Sequence, residues 1–158
     1  MARDYDALTA LKALLAATGK FDVIARYTAA EYTPAGDAAT FAFLAPGTGI
    51  LADAADVASD GSGHDLVEAH EFEMTLVVSD ADPERRTERL CLLRSVAEKA
   101  IVGSSLNGTV MPAFTLLSRW RYVPSRPPFK ACVCTVQTQI LLAGADAADV
   151  TDAIDFLA

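Results

Sequence analysis

Residues 70–101, "HEFEMTLVVSDADPERRTERLCLLRSVAEKAI", change their hydrophobic period halfway along, and that change decides the fold. Up to Ser79 the period is two. Phe72, Met74, Leu76 and Val78 alternate with Glu71, Glu73 and Thr75, as in a strand with one face in a core. The strand is expected from Glu68 to Asp80, its polar face turning apolar at Val77. From Pro83 onward the period is 3.6. Leu90, Leu93, Val96, Ala97, Ala100 and Ile101 share one face at about 100° per residue, which predicts a helix over 83–102, ended by Gly103. Arg94 and Glu98 fall on the opposite face, four residues apart, where opposite charges pair weakly.

Asp80-Ala81-Asp82 stands at the junction of the two periods. Two carboxylates two residues apart suit a hard metal ion. Asp82, however, precedes Pro83 and Glu84, the order of a helix N-cap, a first-position proline and a first-turn acid. Capping accounts for Asp82, and no metal or other cofactor is assigned.

Before this stretch, residues 5–18 predict a helix through Leu8, Leu11 and Leu15, with Gly19 at its C-terminal end. Phe21 to Thr33 reads as a strand that continues past a bend. Ala39 to Gly47 reads as a second, short strand ended by Pro46-Gly47. Residues 45–66 have no period, and "ASDGSGHD" (58–65) is loop composition; so long a loop in a compact domain suggests function or contact with a neighbour. After the helix, Thr109 to Val123 and Lys130 to Ala143 are rich in strand formers. The proline-rich 124–129 segment between them reads as a stiff hairpin tip. The last 15 residues, 144–158, predict a short amphipathic helix with Val150, Ile154 and Leu157 on its apolar stripe. The order α-β-β-loop-β-α-β-β-α makes this a single α+β domain over 1–158, a mainly antiparallel sheet with helices packed on it.

A chain of 158 residues with 52% hydrophobic content can bury roughly 70% of its unfolded surface and needs no staple. Its three cysteines, Cys91, Cys132 and Cys134, are odd in number, and the last two are one residue apart. That suits free thiols in a reducing cytoplasm better than a disulfide framework. The N-terminus lacks a signal-peptide apolar region, and no apolar run approaches membrane-spanning length. The expectation is a chain that is cytosolic where it is made.

The net charge of −8 argues against a general nucleic-acid binder, but it hides a segregation. Residues 85–130 carry nine Lys/Arg against two Glu; residues 1–84 carry four against fifteen acids; residues 131–158 carry four Asp and no cation. Such a molecule suits contact between unlike patches of two copies, or pairing within its own surface. Arg119, Trp120, Arg121 and Tyr122, with Arg126 and Lys130, have the composition of a nucleic-acid platform and also of a protein interface. In a strand the two arginines share one face and the two aromatics the other, and the protein interface is the reading taken. Its candidate residues are Arg85, Arg86, Arg119, Arg121, Arg126 and Lys130.

The remaining chemistry is thin. His64 and His70, six apart, match no zinc spacing. Ser62, His64 and Asp65 adjoin in one loop, whereas triads draw on separate segments. "PGTGI" lacks the lysine of a phosphate loop. Cys132-Val133-Cys134 lacks the two-residue spacer of redox and zinc sites. Cys134 reads as a core residue, and Cys91 falls on the polar side of its helix.

The layout as a whole resembles the tail-terminator, or tail-completion, proteins of long-tailed bacteriophages and gene transfer agents. The resemblance lies in a first helix ending in "LLAATGKFDVI", the strand running straight into a capped helix at 70–101, above all its "DADPERR" opening, and two late strands with a short coda. It covers most of the chain by pattern and has no diagnostic motif. It implies a structural virion protein, made in the cytoplasm of a bacterial host, and not an enzyme: a homohexameric ring at the head-proximal end of the tail. Such a ring caps the tube, ends its polymerisation and takes part in head–tail joining. The implied partners are further copies of the chain, the tail tube protein and a head–tail connector or neck protein, with nucleic acid only as DNA passing through. A head-completion or neck protein is the nearest alternative; a small cytosolic enzyme or ligand-binding domain using the acidic Asp53–Glu71 region is the alternative from another class.

Overall fold

The structure, a computed structural model, describes residues 3–33, 36–51, 66–104, 106 and 115–142. Helix α1 spans Arg3–Ala17, followed by β1 (Val23–Ala25), a 3-10 turn (Ala29–Glu31), β2 (Thr40–Leu51) and β3 (Leu66–Ser79). Helix α2 spans Pro83–Ile101 and is followed by β4 (Leu116–Leu117), β5 (Arg121–Val123) and β6 (Phe129–Leu142). The strands form one sheet in the order β1-β2-β3-β6-β4, with β5 also paired to β6. All neighbours are antiparallel except β1 and β2, which run parallel. The protein is α+β, as its periodicities predict. No helix of the described residues is long and apolar enough to cross a membrane.

The pleat sorts the side chains. On one face Ala42 and Leu44 of β2, Phe72, Met74, Leu76 and Val78 of β3, and Cys132, Cys134 and Val136 of β6 are buried beneath both helices. Helix α1 contributes Ala7, Leu8, Leu11 and Leu15 to this core, and α2 contributes Leu90, Leu93, Ala97 and Ile101. Among the described residues the second face is covered over only part of its extent. There Phe41 and Phe43 of β2 lie under Tyr32, with both ring separations at 5.5 Å. Val77 and Phe129 close that smaller cluster. Covering by an element on one face alone is what a strand with one polar face requires.

Two expectations are corrected. The stretch 21–33 is not a continuous strand. Pairing stops at Ala25, and Thr28 opens a short turn in which its N–H and hydroxyl both donate to the Glu31 carboxylate at 3.1 Å. That turn brings Tyr32 back over the sheet. Nor does β2 end at Pro46-Gly47; it continues to Leu51, with a register shift between Pro46 and Gly49. A Cβ on Gly47 would stand 2.5 Å from the Glu71 carbonyl oxygen, so this bulge needs glycine for close backbone approach. Residues 52–65, with Asp53, Ser62, His64 and Asp65, lie outside the described residues, as do 109–114 of the expected late strand and the expected helix over 144–158.

Helix α2 begins as its sequence indicates. The Asp82 Oδ1 accepts the Glu84 N–H at 2.9 Å, and Pro83 takes the first helical position. Asp82→Ala is expected to lower stability by about 1 kcal/mol, read as a shift of the urea midpoint at unchanged slope. Asp82→Asn, which keeps the acceptor, should recover most of that loss.

Candidate functional site

The acid-rich turn between β3 and α2 is fully engaged by its own chain. Asp80 Oδ1 accepts the Asp82 N–H at 2.9 Å. Its Oδ2 faces the Nε atoms of Arg85 at 3.7 Å and Arg89 at 3.4 Å. Arg86, 9% exposed, folds back to donate from Nε to the Asp80 carbonyl at 2.9 Å and from Nη2 to the Ala81 carbonyl at 3.4 Å. Among the described residues no group of three or more His, Cys, Asp or Glu is placed to hold a metal ion.

The Asp82 N–H, and after it the arginines, hold the Asp80 carboxyl below its ordinary value. Asp22 is lowered in the same direction, first by the Ala39 N–H at 2.8 Å and also by the Thr40 N–H at 3.1 Å. A carboxyl depressed on folding binds fewer protons than it does unfolded, so stability rises with pH through its titration. The contribution is complete above the ordinary value of 3.8 and is lost as pH falls through the lower folded values. The urea midpoint should therefore fall as pH drops below about 4, and Asp22→Asn should flatten that decline by lowering the midpoint above about pH 5, where the ionised carboxylate contributes.

A second polar group joins α2 to the late strands. Trp120 Nε1 donates to Glu98 Oε1 at 2.7 Å, and Arg94 Nη1 to the Tyr122 hydroxyl at 3.4 Å. Arg94 Nε lies 3.7 Å from Glu98 Oε1, and Cys91 Sγ lies 3.7 Å from the Tyr122 oxygen. Trp120 also packs on the main core. The two aromatics thus serve the α2 side of the sheet, while Arg94 and Glu98, expected on the outer face of α2, turn toward the β4–β5 segment. Burial pushes the Cys132 and Cys134 thiols up to about 12, which keeps both protonated and unreactive at neutral pH.

The candidate arginines and lysine divide into three places. Arg85 and Arg86 lie in the first turn of α2, and Lys130 Nζ reaches the same turn, donating to Thr87 Oγ1 at 2.9 Å. Arg126 is exposed in the Pro124–Pro128 tip between β5 and β6. Arg119 is exposed in the link between β4 and β5, and Arg121 is exposed on β5. Arg121 pairs with Val133 of β6, whose own partner on β3 is Thr75. Arg86 is thus an internal support of its turn, whereas Arg85, Arg119, Arg121 and Arg126 present charge outward.

Residues absent from the sequence-based set complete the outer face. Glu73 pairs with Thr135, and Glu71 with Gln137. Gln137 in turn pairs with Leu116, half exposed on β4. The Ser118 N–H donates to the Thr135 carbonyl at 2.9 Å, and Arg121, opposite Val133, continues that row on β5. The part of the sheet that the described residues leave uncovered is therefore graded: acid on β3, neutral on β6, base on the β4–β5 edge. The alternation in "EFEM" signals that Glu71 and Glu73 share a face; that they lie two strands from the arginines depends on the pairing of β3 with β6.

No protein-family model matches this chain, and no curated protein matches it. Among solved structures, one similar chain belongs to the "virion of native gene transfer agent (GTA) particle", at 14% identity over 84% of each chain with a TM-score of 0.39. Another is from an extracellular contractile injection system, described as a "PVC sheath/tube terminator in extended state", at 15% identity and a TM-score of 0.44. That match covers 90% of this chain and spans 58% of the other. At these identities and scores neither likeness assigns a function.

Proposed function

We propose that this chain is a structural virion protein of the tail-terminator kind, which assembles as a ring, caps the tail tube, ends its polymerisation and joins tail to head. The reading takes its family from the sequence resemblance. The observation that carries it in three dimensions is the graded outer sheet face. A ring subunit meets two neighbours through two different surfaces, and unlike charges on those surfaces favour closure over a symmetric pair. Its partners are other copies of the chain, six in all by the resemblance, together with the tube protein below and a connector protein above. DNA passes through the opening without being read. The role is one of assembly and asks no catalysis of the chain.

The test uses tail tubes assembled from the tube protein of the same particle. Incubated with excess purified chain and pelleted, the tubes should retain a small, saturable amount that scales with the number of tube ends. Retention that scales with total tube mass would make the chain a wall-binding protein, and absence from the pellet would reject the capping role.

A further inference from the structure

We infer that the outer face of β3, through Glu71 and Glu73, receives the Arg119–Arg121 edge of a neighbouring copy in a head-to-tail contact. This rests on the ring reading above and specifies which surfaces would meet.

Four observations support it. First, the smaller aromatic cluster of Phe41, Phe43 and Tyr32 covers β1, β2 and the ends of β3 and β6 at Val77 and Phe129, and does not include Glu71, Glu73, Thr135 or Gln137. Among the described residues, what remains open runs from Glu71 and Glu73 across Thr135 and Gln137 to Arg121, with Arg119 exposed beside it. Second, among the described residues neither glutamate and neither of these arginines has a side-chain hydrogen bond or ion pair within the chain. Arg85, Arg89 and Arg94, by contrast, are all paired. Third, the two charged rows stand two strand spacings apart, about 10 Å. That is close to the screening length at physiological salt, so they compensate each other weakly within one subunit and remain available to another. Fourth, Leu116 is half exposed at the basic edge, and Val133 and Val123 are half buried beside Arg121. They supply an apolar centre of the kind a charged rim needs.

The head-to-tail sense follows from where the rows sit. Among the described residues the basic row lies at the sheet margin, where β4 and β5 pair with β6. The acidic row lies inboard on β3. A margin that overlaps a neighbour's inboard strand leaves its own inboard strand free for the next copy, so the contact repeats around a ring.

Sedimentation velocity of the intact chain and four variants tests this. Circular dichroism of each variant checks the fold, which substitutions at these sites on the outer face should leave intact. Wild type should form an assembly larger than a dimer that weakens with added salt. R119E/R121E and E71K/E73K should each weaken self-association by at least about tenfold. K12E/K99E, with the same charge change as R119E/R121E at exposed positions on the helices, should not. Mixing the two interface variants, or combining all four substitutions in one chain, should restore assembly. A wild-type dimer or monomer would overturn the head-to-tail contact. Folded interface variants that assemble like wild type would place the contact elsewhere while leaving the ring reading intact, as would a folded fourfold variant that stays apart. Failure of the ring reading itself shows separately, as absence from pelleted tubes.

Discussion

Phe72→Ala should lower the stability of this protein by about 4 kcal/mol, the largest effect of any single truncation considered. Phe72 is 1% exposed and sits on β3, opposite Pro46 of β2 and Val136 of β6. It is thus in the middle of the sheet, on the face beneath the helices, and belongs to the main core cluster. The pairing with β6 runs without a break along β3, and that with β2 is regular from Thr40 to Pro46, so the surroundings have little freedom to collapse into the space. The loss then combines the transfer term with a cavity term. Against a typical total of about 5–15 kcal/mol, this is a large fraction. Urea denaturation followed by the single tryptophan measures it; Trp120 reports well because it bridges the core and Glu98. Phe72→Leu should keep more than half the stability that alanine loses. A loss below about 1 kcal/mol for alanine would mean that the site repacks.

Arg86→Ala should cost about 3 kcal/mol. The guanidinium lies against the turn it closes, bonded to the Asp80 and Ala81 carbonyls. Removing it leaves two acceptors at a partly buried turn without their charged donor. Arg86→Met separates the causes, since it keeps the apolar stem and removes the donors. It should lose nearly as much as alanine if the hydrogen bonds matter most, and little if stem packing does. The assembly readout distinguishes this role from the surface role that the sequence suggested for Arg86. A variant that retains full stability but fails to self-associate would return Arg86 to the interface.

The contrast between these two residues shows where the sequence was legible. Phe72 could be assigned to the core because a period of two survives any detail of packing. Asp82 could be assigned to a cap because Pro83 and Glu84 follow it. Charge alone does not separate Arg86 from its neighbour Arg85, since both carry the same group. The distinguishing signal is phase: 86, 90, 93, 97 and 101 form one stripe of α2, and each is buried. An arginine at the end of an apolar stripe reaches back to the preceding turn.

The β2 extension was not legible for a different reason. Pro46-Gly47 carries the composition of a strand terminator, yet β3 continues the ladder past it. A proline is tolerated here because no strand pairs with the outer side of β2 at Pro46 among the described residues. The parallel pairing of β1 with β2 was hidden too, since three residues are too few to show a period. As for the graded face, both charged rows are visible as sequence. Their placement on one surface is a property of the β3–β6–β5 order, which no local pattern encodes.

The measurement that bears most directly on the central claim is the length distribution of tail tubes polymerised in the presence of increasing amounts of this chain, imaged by electron microscopy. The account predicts that mean tube length falls with added chain, that growth stops at one end, and that a ring of density marks that end. Tubes that reach the same lengths at every concentration, with bare ends, would contradict it.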